Sequence, residues 1–162
     1  MKANSELTSQ ILAYKELTDF DINISIDWAL DMLKLGHDTP SLLILAGLSK
    51  PTNFFETEAY LISALKELDI QIPERDEAIY QYCKSFINKI ALSENVKNNL
   101  HQLYRLAKTQ PDDKRIFDFY LLYWAWGDLD YNPTYQHYWE GATLNNIESI
   151  VTDLAKKWIA SN

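Results

Sequence analysis

Apolar residues recur along most of the chain at intervals of three and four, the spacing that places them on one side of an α-helix. Only 70–72 alternates as a strand does, and because Pro73 follows directly, an extended linker is the simpler interpretation. Two segments, 42–48 and 116–126, are apolar or aromatic almost throughout, and Asp118 is the only charged residue in the second. A helix that is apolar on every side is typical of a protein interior. The pattern predicts an all-α protein in which both segments are buried and 116–126 is the central helix.

Start and stop signals divide this pattern into seven to eight short helices. Residues that commonly cap or begin helices precede most of the apolar stripes, at Ser5, Ser25, Thr39, Pro40, Thr52, Asn53, Pro73, Ser93, Pro111 and Thr143. Gly36 and Gly127 stand where a helix often ends in a left-handed residue. Short helices with short connections favour an irregular bundle, or a stack of antiparallel helix pairs, in a single domain over 1–162.

The longest irregular segment that the sequence predicts is 127–142. Loops of this length are uncommon inside compact domains and are often functional. This loop combines acidic groups with rings, at Asp128, Asp130, Tyr131, Tyr135, His137, Tyr138, Trp139 and Glu140. Tyr and Trp give a large contact area at low entropic cost, and carboxylates pair with Lys or Arg. The loop is therefore the predicted binding site, and the alternative is that Tyr138 and Trp139 pack into the core and only fix the loop.

Charge narrows the class of partner. The chain has 15 Lys and Arg against 23 Asp and Glu, a net charge of -8, which disfavours nucleic acid and anionic membranes and favours a basic protein. Cys83 is the only cysteine and is interpreted as a small buried packing residue, which suits a reducing compartment. Neither a signal peptide nor a run of about 20 apolar residues is present, so a cytoplasmic location is expected.

Motifs for catalysis, metals or cofactors are missing from the sequence. With 4 glycines the chain can hardly form a phosphate-binding loop, and each histidine lacks a second ligand at metal-binding spacing. Asp128, Asp130 and Asn132 are spaced like the first calcium ligands of an EF-hand loop, but Pro133 and Trp139 occupy the positions that require glycine and glutamate. The sequence thus predicts no metal and no cofactor, and it favours a protein that is not an enzyme.

Several segments resemble a group of small all-helical bacterial proteins of an uncharacterised family. The resemblance rests on 41–49, 64–70 and 138–143, with Ile147 and Trp158 following. Proteins of this kind are often suspected to be immunity proteins of toxin systems. The resemblance supplies no catalytic motif, and no functional residue is transferred from it.

These observations lead to a primary hypothesis and two alternatives. The primary one is a non-enzymatic module that binds another, basic protein through an acidic surface including the aromatic loop, as an immunity-type protein neutralises a toxin. The first alternative is a small-molecule or sugar site formed by the same loop, with hydrolytic activity from Asp128, Asp130, His137 or Glu140. The second is a structural subunit whose rings are covered by another copy of the chain, since the sequence leaves the oligomeric state open.

Overall fold

The computed structural model describes residues 1–162, and it is entirely helical, with eight α-helices and no strand. The helices are α1 (Thr8–Leu12), α2 (Ile24–Lys34), α3 (Pro40–Ala46), α4 (Phe54–Glu67), α5 (Arg75–Ala91), α6 (Val96–Thr109), α7 (Phe117–Tyr131) and α8 (Ile147–Ser161). Two short 3-10 turns lie at Tyr14–Glu16 and Lys114–Ile116. The predicted all-α class and number of helices are confirmed. None of the eight helices combines the length and the apolar character that crossing a membrane requires.

Contacts divide the chain into two compact units, Met1–Tyr82 and Cys83–Asn162, and the boundary falls within α5. We call them the first and the second unit. In the first, α2 packs on both α1 and α3, and α3 packs on α4. In the second, α6, α7 and α8 all contact one another. The single domain predicted over 1–162 stays a prediction.

The first unit is built around fully buried side chains from its successive helices. They include Ile11, Trp28, Met32, Leu42, Leu45 and Leu61. Trp28 is the largest of them, and its Nε1 donates a hydrogen bond to Thr8 Oγ1 at 3.0 Å, joining α2 to α1. In α3, Leu42 and Leu45 are buried, whereas Leu43 and Ile44 are exposed, so the prediction that 42–48 is covered on all sides is wrong. Two helices packed against α3 cannot enclose its whole circumference.

Side chains and backbone geometry fix the ends of several helices where the sequence predicts them. Gly36 adopts φ +90° after α2, and the amide of the next residue donates to Met32 O, as in a Schellman motif. Asn53 caps α4 by accepting from the Glu56 amide at 3.1 Å. At the start of α3, the Glu67 carboxylate accepts from the Ser41 hydroxyl at 2.6 Å and from its amide at 3.0 Å. These bonds favour the charged carboxylate and lower the pKa of Glu67.

Other predicted boundaries are wrong because the proposed caps have different positions. Ser5 and Ser25 are buried, and Ser25 lies inside α2, so neither occupies the position of an N-cap. Ser93 has φ +60° just after α5, and α6 begins only after Asn95. Thr143 precedes α8 by a full turn. Ser and Thr also form turns and pack in interiors, so their presence alone does not locate a helix start.

The most consequential differences concern α7. It continues through Gly127 to Tyr131. Gly costs a helix about 1 kcal/mol, and continuing the helix buries Leu129 almost completely, which compensates. The helix is covered along one side, at Phe119, Leu122 and Ala125, but not all round as predicted. Its other side leaves Phe117 and Trp124 exposed by 50 % and 36 %.

Tyr14 gives the first unit a pH-dependent bond that can be tested. Its buried hydroxyl donates to Glu58 Oε1 at 2.7 Å. Burial, and then this bond to a carboxylate, raise the pKa of Tyr14 above its ordinary 10.0. The stabilisation of the fold by the protonated Tyr14 hydroxyl should therefore be complete below pH 10 and decrease as the pH rises above it. We expect Tyr14→Phe to lower the free energy of unfolding by about 1 kcal/mol at pH 7. Urea unfolding should show that this difference from the unmodified chain shrinks above pH 10.

Tyr131→Phe is the matched control, because Tyr131 is 94 % exposed and no hydrogen bond is formed by its hydroxyl. This control should leave the free energy of unfolding unchanged at pH 7 and at pH 11. A Tyr14→Phe difference that is constant from pH 7 to pH 11 would contradict the role assigned to the Tyr14–Glu58 bond.

Candidate functional site

Nine rings of the second unit, from α6, α7 and the segment that follows α7, form a continuous series of ring contacts. They are His101, Tyr104, Phe117, Tyr120, Tyr123, Trp124, Tyr135, His137 and Tyr138. We call this set the aromatic surface. All nine are exposed or half-buried, so the series lies at the boundary with solvent rather than in the core.

Five of these rings form a nearly parallel row between α6 and α7. In order they are Phe117, Tyr120, Tyr104, Tyr123 and His101, and each is inclined by 15–22° to the next. Tyr104 and Tyr123 stack closely, with centroids 3.9 Å apart, and the other neighbours are 5.5–5.9 Å apart. Spacings of three residues on two adjacent helices place these rings side by side.

Trp124 connects this row to the segment after α7. It contacts Tyr104 edge-on at 5.6 Å and lies 6.2 Å from Tyr138 at 27°. Tyr138 in turn stacks on His137 at 4.4 Å, and His137 contacts Tyr135 at 6.0 Å. Trp124 is therefore the α7 ring that joins the rings of the irregular segment to the row.

Two side-chain amides hold that segment, 132–146, in place. Gln136 Oε1 accepts from the amides of Tyr138 and Trp139 at 3.0 and 2.9 Å, and its Nε2 donates to Trp139 O at 2.5 Å. Asn146 Oδ1 accepts from the Thr143 amide at 2.7 Å, and its Nδ2 donates to Gly141 O at 3.0 Å. Such side-chain to backbone bonds satisfy polar groups that no helix pairs, so the segment has a defined conformation.

The eight predicted site residues do not share one loop. Asp128, Asp130 and Tyr131 belong to the last turns of α7, which corrects the predicted loop 127–142. Asp130 pairs with Lys97 at 2.5 Å, so its charge is already compensated. Tyr131 is almost fully exposed, but no contact joins it to another ring.

The remaining five residues lie in 132–146. Tyr135 and His137 are exposed and Tyr138 is half-buried, and these three belong to the aromatic surface. Trp139 is half-buried and Glu140 is exposed. The structure thus brings three of the eight predicted residues together with six rings from α6 and α7 that the sequence assigned elsewhere.

Sequence reasoning missed those six rings for an identifiable reason. The run 116–126 is so uniformly apolar that its pattern predicts a core helix, and this run contains Phe117, Tyr120, Tyr123 and Trp124. A signal was nevertheless present, because Phe117, Tyr120 and Trp124 are spaced three and four residues apart, while Phe119 and Leu122 lie between them. Tyr and Trp tolerate a half-exposed position because their polar tips reach solvent, whereas Leu gains only from burial.

Charge is distributed very unequally between the units. The first unit has 6 Lys and Arg against 14 Asp and Glu, which accounts for the whole net charge of -8. The second has 9 of each and is neutral. The sequence predicts one binding surface that is both acidic and aromatic, whereas the excess negative charge and the aromatic surface belong to different units.

The ionisable groups of the second unit offer no arrangement for metal binding, since no cluster of His, Cys, Asp and Glu could hold an ion. Burial, with a smaller contribution from Asp113, raises the pKa of the Cys83 thiol to about 12, so this thiol is poorly reactive at neutral pH. Arg115 pairs with Asp113 through two bonds of 2.9 and 2.7 Å and lowers the pKa of that carboxyl.

Compared with known proteins, the chain matches no protein-family model, no curated protein and no solved structure.

Proposed function

We propose that the chain is a non-enzymatic interaction module that binds another protein through the aromatic surface. The observation that carries this proposal is the continuous series of nine exposed or half-buried rings across α6, α7 and 132–146. Rings held by their neighbours have little conformational entropy left to lose when a partner binds. Large aromatic side chains are also the residues that most often dominate binding energy at protein interfaces.

The alternative of a sugar site in the aromatic segment has less support from the ring geometry. Stacking on a sugar requires an uncovered ring face, whereas His137 and Tyr138 cover each other at 4.4 Å. Tyr104 and Tyr123 cover each other in the same way at 3.9 Å. Rings that stack on one another offer a partner their edges and polar groups, which suits the mixed apolar and amide surface of a protein.

In this proposal the partner is a basic protein. The net charge of -8 on the first unit attracts a basic partner at long range, while the neutral aromatic surface provides the short-range contacts. Salt should therefore slow association while changing dissociation from the rings much less. The resemblance of 41–49, 64–70 and 138–143 to immunity-type bacterial proteins suggests a toxin as the partner and the cytoplasm as the place of binding.

Photo-crosslinking in the source cells tests the proposed surface directly. Benzoylphenylalanine replaces Tyr135, which is 62 % exposed within the aromatic surface, and in a second variant it replaces Phe55, which is 79 % exposed in the first unit. We expect one discrete adduct with another protein from position 135 and none from position 55. Mass spectrometry of the adduct then identifies the partner.

Affinity measurements with that purified partner complete the test. Trp124→Ala should weaken binding by about 2 kcal/mol, as for an interfacial hot spot, and Phe55→Ala should leave it unchanged. Asp130→Ala should have a small effect, because Lys97 already pairs with this carboxylate. Equal adducts from positions 135 and 55, or full affinity of the Trp124→Ala variant, would contradict the proposal. An adduct between two copies of the chain would favour the structural-subunit alternative instead.

A further inference from the structure

A cavity of about 300 Å³ lies beside the aromatic surface, where α6 ends and α7 begins. Its walls come from the second unit alone and are mostly apolar: Ala107, Lys108, Gln110, Pro111, Asp113, Phe117 and Tyr120. This volume is at the lower end of the range for small-molecule sites, so it suits a ligand of one or two rings. None of the residues predicted from the sequence as a binding site lines it.

The cavity borders the parallel row of rings at its Phe117 end, where Tyr120 also lines it. Phe117 is the terminal ring of the row, 5.9 Å from Tyr120 and inclined to it by 17°. No further ring covers Phe117 from the other side within the second unit, and the side chain is half exposed. A planar aromatic group in the cavity would continue the row by one member, in the offset stacking that such rings prefer.

The cavity walls carry one cation, Lys108, and one carboxylate, Asp113. Lys108 is exposed, its ammonium lies 5.6 Å from the centroid of the Tyr104 ring, and it forms no ion pair. Asp113, the only carboxylate in the walls, is paired through two bonds with Arg115, so its charge is largely compensated. An anionic group beside Lys108 would therefore gain a charge-assisted hydrogen bond against little repulsion.

From these three observations we infer that the cavity binds a small planar aromatic carboxylate. The ring of the ligand stacks on Phe117, its apolar edge contacts Ala107 and Pro111, and its carboxylate accepts a hydrogen bond from Lys108. The cavity shares Phe117 and Tyr120 with the aromatic surface, but binding of a small ligand there needs no partner protein. A failure of either can therefore be recognised independently of the other.

Titration of the purified full chain with 2-naphthoate, followed by saturation-transfer NMR, tests the inference. Two probes separate the contributions: 2-naphthamide keeps the ring and lacks the charge, and decahydronaphthalene-2-carboxylate keeps the charge and lacks the planar ring. We expect the amide to bind about tenfold more weakly than naphthoate, the loss of one charge-assisted bond. The saturated acid should bind about fivefold more weakly, because it cannot stack on Phe117.

Variants locate the binding at this cavity. Lys108→Met should weaken naphthoate binding about tenfold and remove the preference over the amide. Lys66→Met is the matched control, an exposed lysine of α4 in the first unit, and it should bind as the unmodified chain does. Circular dichroism confirms that each variant is folded. Absence of naphthoate binding at millimolar concentration would overturn the inference. It would also be overturned if the Lys108→Met variant bound acid and amide equally, and both as tightly as the unmodified chain binds the acid.

Discussion

Replacing Trp28 with alanine is expected to lower the free energy of unfolding by about 3–5 kcal/mol, the usual cost of truncating a fully buried large ring. Trp28 is completely inaccessible to solvent and packs among the side chains of the core of the first unit. Its loss leaves a cavity that the surrounding helices can only partly close. It also removes the donor that Thr8 Oγ1 accepts from at 3.0 Å, which loosens α1 from α2. Urea unfolding monitored by circular dichroism measures the effect.

Two further variants separate packing from hydrogen bonding. Thr8→Val keeps the volume and removes the acceptor, so it should cost about 1 kcal/mol. Leu30 lies on the same helix as Trp28 but is 41 % exposed. Leu30→Ala should therefore lower the free energy of unfolding much less than Trp28→Ala does. A Leu30→Ala variant as unstable as Trp28→Ala would show that any truncation in α2, and not removal of the buried ring, causes the loss of stability.

Phe119→Ala is expected to have a comparable effect in the second unit, about 3–5 kcal/mol. Phe119 is completely buried on the covered side of α7. Phe117→Ala is a close control, because the same residue type stands two positions earlier on the same helix and is half exposed. It should cost much less than Phe119→Ala. Equal losses for the two variants would contradict the one-sided burial of α7, on which the aromatic surface depends.

The Trp28 and Phe119 variants together test the predicted single domain. Each alters the core of one of the two compact units. If 1–162 unfolds as one cooperative domain, both substitutions shift one common transition, and either one accelerates hydrogen exchange in both α2 and α7. Two separate transitions, each sensitive to only one substitution, would mean that the units unfold independently and that the single-domain prediction is wrong.

Helix positions followed from the sequence wherever local chemistry determines them. Gly36 was a predicted stop and adopts the left-handed conformation, and Asn53 was one of two predicted caps and accepts the expected bond. Gly127 had the same local signal as Gly36 but lies inside α7, because burial of Leu129 favours another turn of helix. Local preferences of about 1 kcal/mol decide helix ends only where no larger burial term opposes them.

The candidate site was only partly predictable for a related reason. Three rings of 132–146 were predicted as binding residues and do lie at the aromatic surface. The rings of α7 were not, because a uniformly apolar helix carries no periodicity that distinguishes its covered side from its open one. The cavity beside Phe117 was also beyond the sequence, since its walls come from residues of two helices and the turn between them.

By itself, the sequence determined the all-α class, the number of helices, many of their ends and the excess of negative charge. These properties depend on spacing, capping residues and composition, which are local or additive along the chain. Only the tertiary structure decided which side of α7 is open, which rings stack, and that charge and aromatic surface belong to different units. Those properties depend on which helices pack against one another, and similar apolar stripes allow several packings that only the complete set of contacts distinguishes.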